Sequence, residues 1–212
     1  MSKLFLVRHG QSQWNLENRF TGGQDIDLTE LGKQEARHAG QQLQEQKIDI
    51  AFSSKLVRAR RTLAMMLEEM DRLTIPIMTT ACLNERSYGM LEGLNKAETV
   101  LKYGEAQVQE WRRSFDVIPP GGESLKDTHD RVIPYFKKYI APELASGKNV
   151  LIVAHGNSLR ALIMFLEHIS SSEIMKREIA TGVPLYYEVK DAYFKRREAL
   201  LSKSLLKTAT HG

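Results

Sequence analysis

A single cysteine, Cys82, stands among 212 residues, so no internal disulfide framework can form and a reducing compartment suits the chain. Free cysteine is usually a small buried filler, and Cys82 reads as one near a strand end. Long hydrophobic runs are also missing, and none approaches the roughly 20 apolar residues that span a bilayer. The apolar stretch near the N-terminus, Leu4-Phe5-Leu6-Val7, is too short for a signal-peptide core, and no small-residue cleavage site follows it. The expectation is a cytoplasmic protein with no membrane association. The charge excess is slight, 30 Lys and Arg against 26 Asp and Glu. With neither a basic stripe nor an aromatic stacking platform, nucleic acid is not an expected partner. There is no fixed-period repeat and no linker, so residues 1–190 read as one domain and 191–212 as a basic C-terminal tail.

What the chain does have is alternation. Leu4 to Val7, Ile48 to Phe52, Ile75 to Leu83, Asn149 to Ala154 and Val183 to Val189 read as strands. The continuous apolar runs among them suit a parallel sheet covered on both faces. Between them lie amphipathic segments. One is capped by Thr29, with Ala36, Ala39, Gly40 and Leu43 on its inner face. Another runs from Lys55 to Met70, with Leu56, Leu63, Met66 and Leu67 inward. Helix is expected over 96–114 with a break near Gly104, over 123–144 with a kink at Pro134, over 157–168, and over 171–179. After Lys190 a loosely held helix or mobile tail is expected. The fold class is therefore α/β, a three-layer α/β/α sandwich with a mostly parallel central sheet.

Two of the buried strands end alike, in Arg8-His9-Gly10 and in Ala154-His155-Gly156. In a parallel sheet both histidines would reach the same edge, beyond the carboxyl ends of the strands, where ligands bind. A neutral imidazole can attack phosphorus, and the neighbouring Arg8 cation favours the neutral form of His9. The second histidine, if protonated, would neutralise charge on a transferring group. Zinc is the rival reading of two histidines. It is weak, because neither has a partner at metal-ligand spacing and Cys82 lies elsewhere. Arginines crowd at Arg58, Arg60 and Arg61 and again at Arg112-Arg113, which suits a small anionic substrate.

Leu6-Val-Arg-His-Gly-Gln-Ser12 together with Ala154-His-Gly-Asn-Ser158 resembles the histidine phosphatase superfamily. Further motifs narrow the match: Trp14-Asn15, Arg19-Phe20-Thr21-Gly22, Asp25-Ile26-Asp27-Leu28-Thr29, Leu83-Asn-Glu-Arg86, Tyr88-Gly89, Leu91 to Glu98, Trp111-Arg112-Arg113 and Thr181-Gly182-Val183-Pro184. In this order, over residues 3 to 189, they resemble the cofactor-dependent phosphoglycerate mutases.

The resemblance implies interconversion of 3-phosphoglycerate and 2-phosphoglycerate through a phosphohistidine on His9. The phosphoryl primer would be 2,3-bisphosphoglycerate, with no metal. Its implied catalytic group is His9, Glu85 as general acid and base, His155, Arg8 and Arg58. Its implied substrate contacts are Ser12, Asn15, Thr21, Gly22, Arg86, Tyr88, Lys96, Arg112, Arg113, Gly156 and Asn157. Partners would be small phosphorylated sugar acids and a second copy of the chain in a dimer. Gly23 and Ser87 depart from common residues of the family, and the segment from Arg113 to Glu123 is shorter than in many members. Arg196, Arg197 and Lys203 in the tail either seal the pocket or are solvated, and solvation is the expectation. A phosphatase using the same phosphohistidine is the main rival. The cations at Lys96 and Arg112-Arg113 argue for the mutase, which must hold a second anionic group.

Overall fold

Apolar strands of this kind need cover on both faces, and the computed structural model, which describes residues 1–190 and 193–197, supplies it. Strands β1 (Ser2–Arg8), β2 (Ile50–Ser54), β3 (Ile77–Thr80), β4 (Val150–Ala154), β5 (Pro184–Lys190) and β6 (Tyr193–Arg197) form one sheet in the order β3-β2-β4-β1-β5-β6. β1 pairs with β4, β4 with β2 and β2 with β3, all parallel, while β5 and β6 add antiparallel pairs at one edge.

Side chains alternate across this sheet, and the alternation makes the layers. Leu4, Leu6, Ile50, Phe52, Val150 and Ile152 face helices α6 (Leu125–Tyr135) and α8 (Gly156–Glu167), meeting Val132, Phe136, Leu159 and Leu162 in one core cluster. Phe5, Val7, Ala51, Leu151 and Val153 face the opposite way, toward Ala39 and Leu43 of α2 (Glu30–Leu43) and Leu63, Met66 and Leu67 of α3 (Val57–Glu69). Each fully buried aliphatic or aromatic side chain contributes roughly 1.5–3 kcal/mol relative to exposure. A third, smaller cluster of Phe20, Leu91, Val108 and Trp111 lies under helices α4 (Lys96–Tyr103) and α5 (Glu105–Arg113). These two helices break at Gly104, whose φ of +83° is a conformation that glycine adopts without strain.

Other elements follow their local chemistry. Ser12 and Asn15 form a reciprocal cap on the one-turn helix α1 (Gln13–Leu16), and Thr29 caps α2 through Gly32 N–H. The chain runs through Pro134 in α6, passes into a π-helical turn at Phe136–Ile140, and returns to α-helix in α7 (Ala141–Ala145). Pro134 and Pro142, the second at the start of α7, both lack the N–H that the ladder needs, and the π-helical turn lies between them. After α8, helix α9 (Ser171–Lys176) ends three residues before the expected boundary at 179.

Two expectations need correction. Residues 193–197 form strand β6 in place of a loose helix or tail, because Phe194 packs against Phe136 with ring centroids 5.9 Å apart while the backbone pairs with β5. Cys82 is half-buried in a 3-10 turn (Ala81–Leu83) rather than sunk in the core, and its carbonyl serves a polar network described below. Arg196 pairs with Glu167 at 3.6 Å, away from the sheet edge that carries the histidines, whereas Lys203 lies outside the described residues.

Candidate active site

The register of β1 on β4, Arg8 beside Ala154, brings the two histidine motifs side by side. His9 N–H donates to the carbonyl of Ala154 at 3.0 Å, and the rings of His9 and His155 stand 4.8 Å apart. Both side chains are buried. The chain can turn away at Gly10 only because α2 begins with its own glycine nearby. A Cβ on Gly10 would sit 2.1 Å from the carbonyl oxygen of Gly32, and one on Gly32 would sit 2.1 Å from that of Gln11.

Hydrogen bonds fix the state of His9. Its Nδ1 lies 2.7 Å from the Gly10 carbonyl, which can only accept, so Nδ1 carries the proton. Nε2 therefore holds the lone pair, and Arg58 Nε–H points at it from 3.3 Å. Burial first, then the charges of Arg58 and Arg8, hold His9 well below the ordinary imidazole range, against a small opposing pull from Gly10. His155 is lowered likewise by burial, Arg58, His9 and Arg8. These effects disfavour the protonated form of His155 that its expected charge-neutralising part needs. Its Nε2 shares a hydrogen bond of 2.7 Å with Ser54 Oγ. Nδ1 of His155 is buried without a hydrogen-bond partner among the described residues, as are Arg8 Nε and Thr21 Oγ1.

Arg58 enters from the first turn of α3 with no solvent exposure. Its Nη1 and Nη2 donate to the carbonyls of Gln24 and Gly22 at 2.6 and 2.8 Å, tying the loop that carries Thr21 and Gly22 to His9. Burial lowers its pKa to about 10, partly opposed by Glu85 and Asp25, so it stays charged near neutral pH. Gly22 has φ +54°, and a Cβ there would strike the Glu92 carboxylate, which accepts from Gly23 N–H, Ser87 Oγ–H and Tyr88 N–H. The two departures at Gly23 and Ser87 thus share one partner.

Glu85 sits in the cleft on the loop after the 3-10 turn. Its Oε1 accepts from Arg86 N–H at 2.8 Å and from Asn157 N–H, in the first turn of α8, at 3.1 Å. Arg131 of α6 fixes this loop from behind. It donates to the carbonyls of Cys82, Asn84 and Glu85 at 2.8, 3.0 and 3.1 Å, and its fork pairs with Glu123 through bonds of 2.9 and 3.0 Å.

A cleft of about 170 Å³ opens above His9. Of the residues named from the sequence, Arg8, His9, Asn15, Thr21, Gly22, Arg58, Glu85, Tyr88, Lys96, Arg112, Arg113, Gly156 and Asn157 line it. Lys96 is lowered by burial and by Arg112 beside it, a sign of positive charge gathered at that wall. Three expected site residues are outside the lining. His155 lies behind the wall. Ser12 is buried as the cap of α1, its hydroxyl accepting from Asn15 N–H. Arg86 is buried, donating to the Trp111 carbonyl at 2.8 Å with its guanidinium 4.5 Å from the Tyr88 ring centre. It therefore holds the wall in place instead of touching the cleft.

The structure adds residues that the sequence reading missed as site members. Arg19, Phe20, Arg160 and Glu178 line the cleft, and Arg131 and Glu92 hold its loops. Arg160 had a signal, since it follows Gly156 by four residues on one helix and so shares its face. Among the described residues no three His, Cys, Asp or Glu side chains gather as a metal site would need.

The comparisons with known proteins agree with this geometry. Residues 4–191 match the family model of the histidine phosphatase superfamily (branch 1). A 2,3-bisphosphoglycerate-dependent phosphoglycerate mutase of Nitrobacter hamburgensis is 57% identical over 188 residues, 88% of this chain and 91% of that one. Its counterpart in Methylorubrum populi is 51% identical over 204 residues, 95% and 96% of the two chains. Among solved structures, a mycobacterial glucosyl-3-phosphoglycerate phosphatase with bound VO3 superposes with a TM-score of 0.82 at 26% identity, covering 93% of this chain and 98% of that one. With two strand-end histidines meeting over one cationic cleft and relatives of this similarity along most of its length, the chain belongs to the histidine phosphatase superfamily and, within it, to the family of the 2,3-bisphosphoglycerate-dependent phosphoglycerate mutases.

Proposed function

We propose that the protein interconverts 3-phosphoglycerate and 2-phosphoglycerate by way of a phosphohistidine on His9, primed by 2,3-bisphosphoglycerate. The observation that carries the reading is the pairing of a neutral His9, its lone pair on Nε2, with a second wall of cations at Lys96, Arg112 and Arg113 in one cleft. A phosphate reacting at His9 leaves a further anionic group to be held, and that wall is suited to hold it. Arg8 Nε and Thr21 Oγ1, buried and without a hydrogen-bond partner among the described residues, are donors of the kind a phosphate oxygen would satisfy.

In the priming step His9 Nε2 forms a bond to phosphorus as the bond to the departing sugar-acid oxygen breaks in line, and Glu85 supplies the proton which that oxygen takes up. Arg8 and Arg58 neutralise the charge spread over the equatorial oxygens. In the return step the hydroxyl of a phosphoglycerate attacks the phosphorus on His9 and gives its proton to the Glu85 carboxylate, which restores the starting state. Asn157 N–H, bonded to Oε1, orients the carboxyl for both transfers. Asn15, Thr21, Gly22, Tyr88, Gly156 and Asn157 would shape the phosphate and substrate positions, with Ser12, Arg86 and His155 supporting from behind. A cytoplasmic homodimer belongs to the same proposal. No helix among the described residues is long and apolar enough to cross a membrane, and sedimentation would settle the assembly.

The test is turnover of 3-phosphoglycerate followed directly by phosphorus NMR, with and without a trace of bisphosphoglycerate. Turnover that requires the trace and persists with a chelator supports the reading. Turnover abolished by the chelator, or hydrolysis without isomerisation, overturns it.

A further inference from the structure

Among the described residues seven cationic side chains line the cleft, Arg8, Arg19, Arg58, Lys96, Arg112, Arg113 and Arg160, with two carboxylates among them, Glu85 and Glu178. The reaction has a place for the first carboxylate and none for the second. Glu178 bridges two of the arginines. Oε1 takes a hydrogen bond from Arg113 Nη2, and Oε2 lies 3.6 Å from Arg160 Nη2. The three residues from Arg177 to Ile179 form a strap across the cations. The carbonyl of Arg177 accepts from Arg160 Nε at 3.2 Å, and that of Ile179 accepts from Arg8 Nη1 at 2.8 Å. Backbone carbonyls thus hold Arg160 and Arg8, and that of Met175 accepts from Arg113 Nη1 at 3.5 Å, whereas Glu178 is tied to the cations by its carboxylate.

We propose that Glu178 is a built-in counter-anion that occupies Arg113 and Arg160 until the second anionic group of the substrate displaces it. The proposal rests on the mutase reading for the identity of that substrate. Three observations support the exchange. The Glu178 side chain is 69% exposed while Arg113 is 28% and Arg160 10% exposed, so the carboxylate faces solvent and the guanidiniums are packed into the cleft wall. Solvent at the carboxylate end screens the pair and makes it easier to break than a fully buried one. The carboxylate also has somewhere to go, because a second cleft shares Arg113 and Glu178 as its wall with the first and is lined further on by Ser172 and Lys176, with Asp116 as the one opposing charge among the described residues of its lining. Arg113, Arg160 and Arg8 outweigh the opposing effect of burial and hold the Glu178 carboxyl below the usual range, so it is charged when the pair forms. The device keeps the outer arginines from capturing stray single anions, and it gives way only to a ligand that also anchors at His9.

The test is equilibrium binding by calorimetry on the full chain. Wild type and Glu178→Gln are each titrated with 3-phosphoglycerate and, separately, with orthovanadate as a one-anion probe of the His9 end. The amide should tighten 3-phosphoglycerate by about two- to fivefold, the range an exposed ion pair commands, and leave vanadate within error. In an Arg113→Ala background the gain from Glu178→Gln should shrink, since the pair is already broken. In turnover, KM should fall in step with the dissociation constant, without a rise in kcat. Weaker binding of 3-phosphoglycerate by Glu178→Gln would show instead that Glu178 props the arginines in the bound state, and unchanged binding would make it a solvated bystander; either result overturns the proposal. A wild-type chain that binds 3-phosphoglycerate yet never isomerises it would sink the mutase reading alone, because the binding comparison does not depend on turnover.

Discussion

Arg58, a side chain with no solvent exposure, directs its Nε–H at Nε2 of His9 across 3.3 Å while its other two nitrogens are bonded to the carbonyls of Gly22 and Gln24. One guanidinium thus sets both the nucleophile and the loop above it.

A lysine at this position keeps the charge and loses the fork. Arg58→Lys should slow phosphorylation of His9 by roughly 10²-fold or more, the scale for removing one preorganised donor from a transferring group. Rapid-quench labelling with bisphosphoglycerate measures it. A rate within a few-fold of wild type would show that charge alone suffices.

The depressed histidines make a pH signature. In the unfolded chain both imidazoles titrate near the ordinary value of about 6.5, whereas burial, Arg58 and Arg8 hold His9 and His155 well below it in the folded chain. Between those values the unfolded chain binds more protons, so stability falls as pH drops below about 6.5 and is indifferent to these groups above it. Urea midpoints in phosphate-free buffer should show this slope, and His9→Asn should make it shallower. His9 labelling should hold its rate down to about pH 6, where an unperturbed imidazole is mostly protonated.

Glu85→Gln preserves shape and removes the transferable proton. Turnover should fall by about 10²–10⁴ with vanadate affinity retained. A variant within a few-fold of wild type would take Glu85 out of the reaction.

Arg131 lies outside the cleft lining yet holds the Glu85 loop by three carbonyls and by Glu123. Arg131→Met should lower kcat by about tenfold or more with little change in KM, and should cost about 1.5–3 kcal/mol of stability for the lost charge-assisted bonds. A change confined to stability would leave Arg131 as scaffold alone.

Arg113 separates mutase from phosphatase chemistry. Arg113→Ala should reduce 3-phosphoglycerate turnover far more than hydrolysis of bisphosphoglycerate, because water needs no second anion held. Equal losses in the two assays would place Arg113 outside substrate recognition.

Much of the fold is legible in the sequence itself. Leu4 to Val7 and Val150 to Val153 announce buried parallel strands because both faces are apolar, and the residues that follow them must then share an edge. Arg58 is marked by its crowd of neighbouring arginines as well as by resemblance to a family, whereas Glu85 is marked by the resemblance alone, since a glutamate in a polar loop is ordinarily solvated. Arg131 and Glu178 were illegible for a physical reason. Each bonds across a long stretch of chain, Arg131 to residues 46 to 49 positions away and Glu178 to Arg113, 65 positions away. Only topology brings such pairs together. Strand β6 was hidden because its basic residues mask the one large apolar anchor, Phe194, that seats it.

The first strand of the chain completes its pairing only with β4 and β5, whose residues are numbered 150 and beyond. A growing chain that has emerged from the ribosome as far as α7 already carries His9, Arg58 and Glu85, yet has no neighbour for β1 and no floor for the reaction. Contacts this distant in sequence form late and slowly. Catalytic competence should therefore arise abruptly near the close of synthesis, and no N-terminal fragment ending before β4 should take up label on its imidazole.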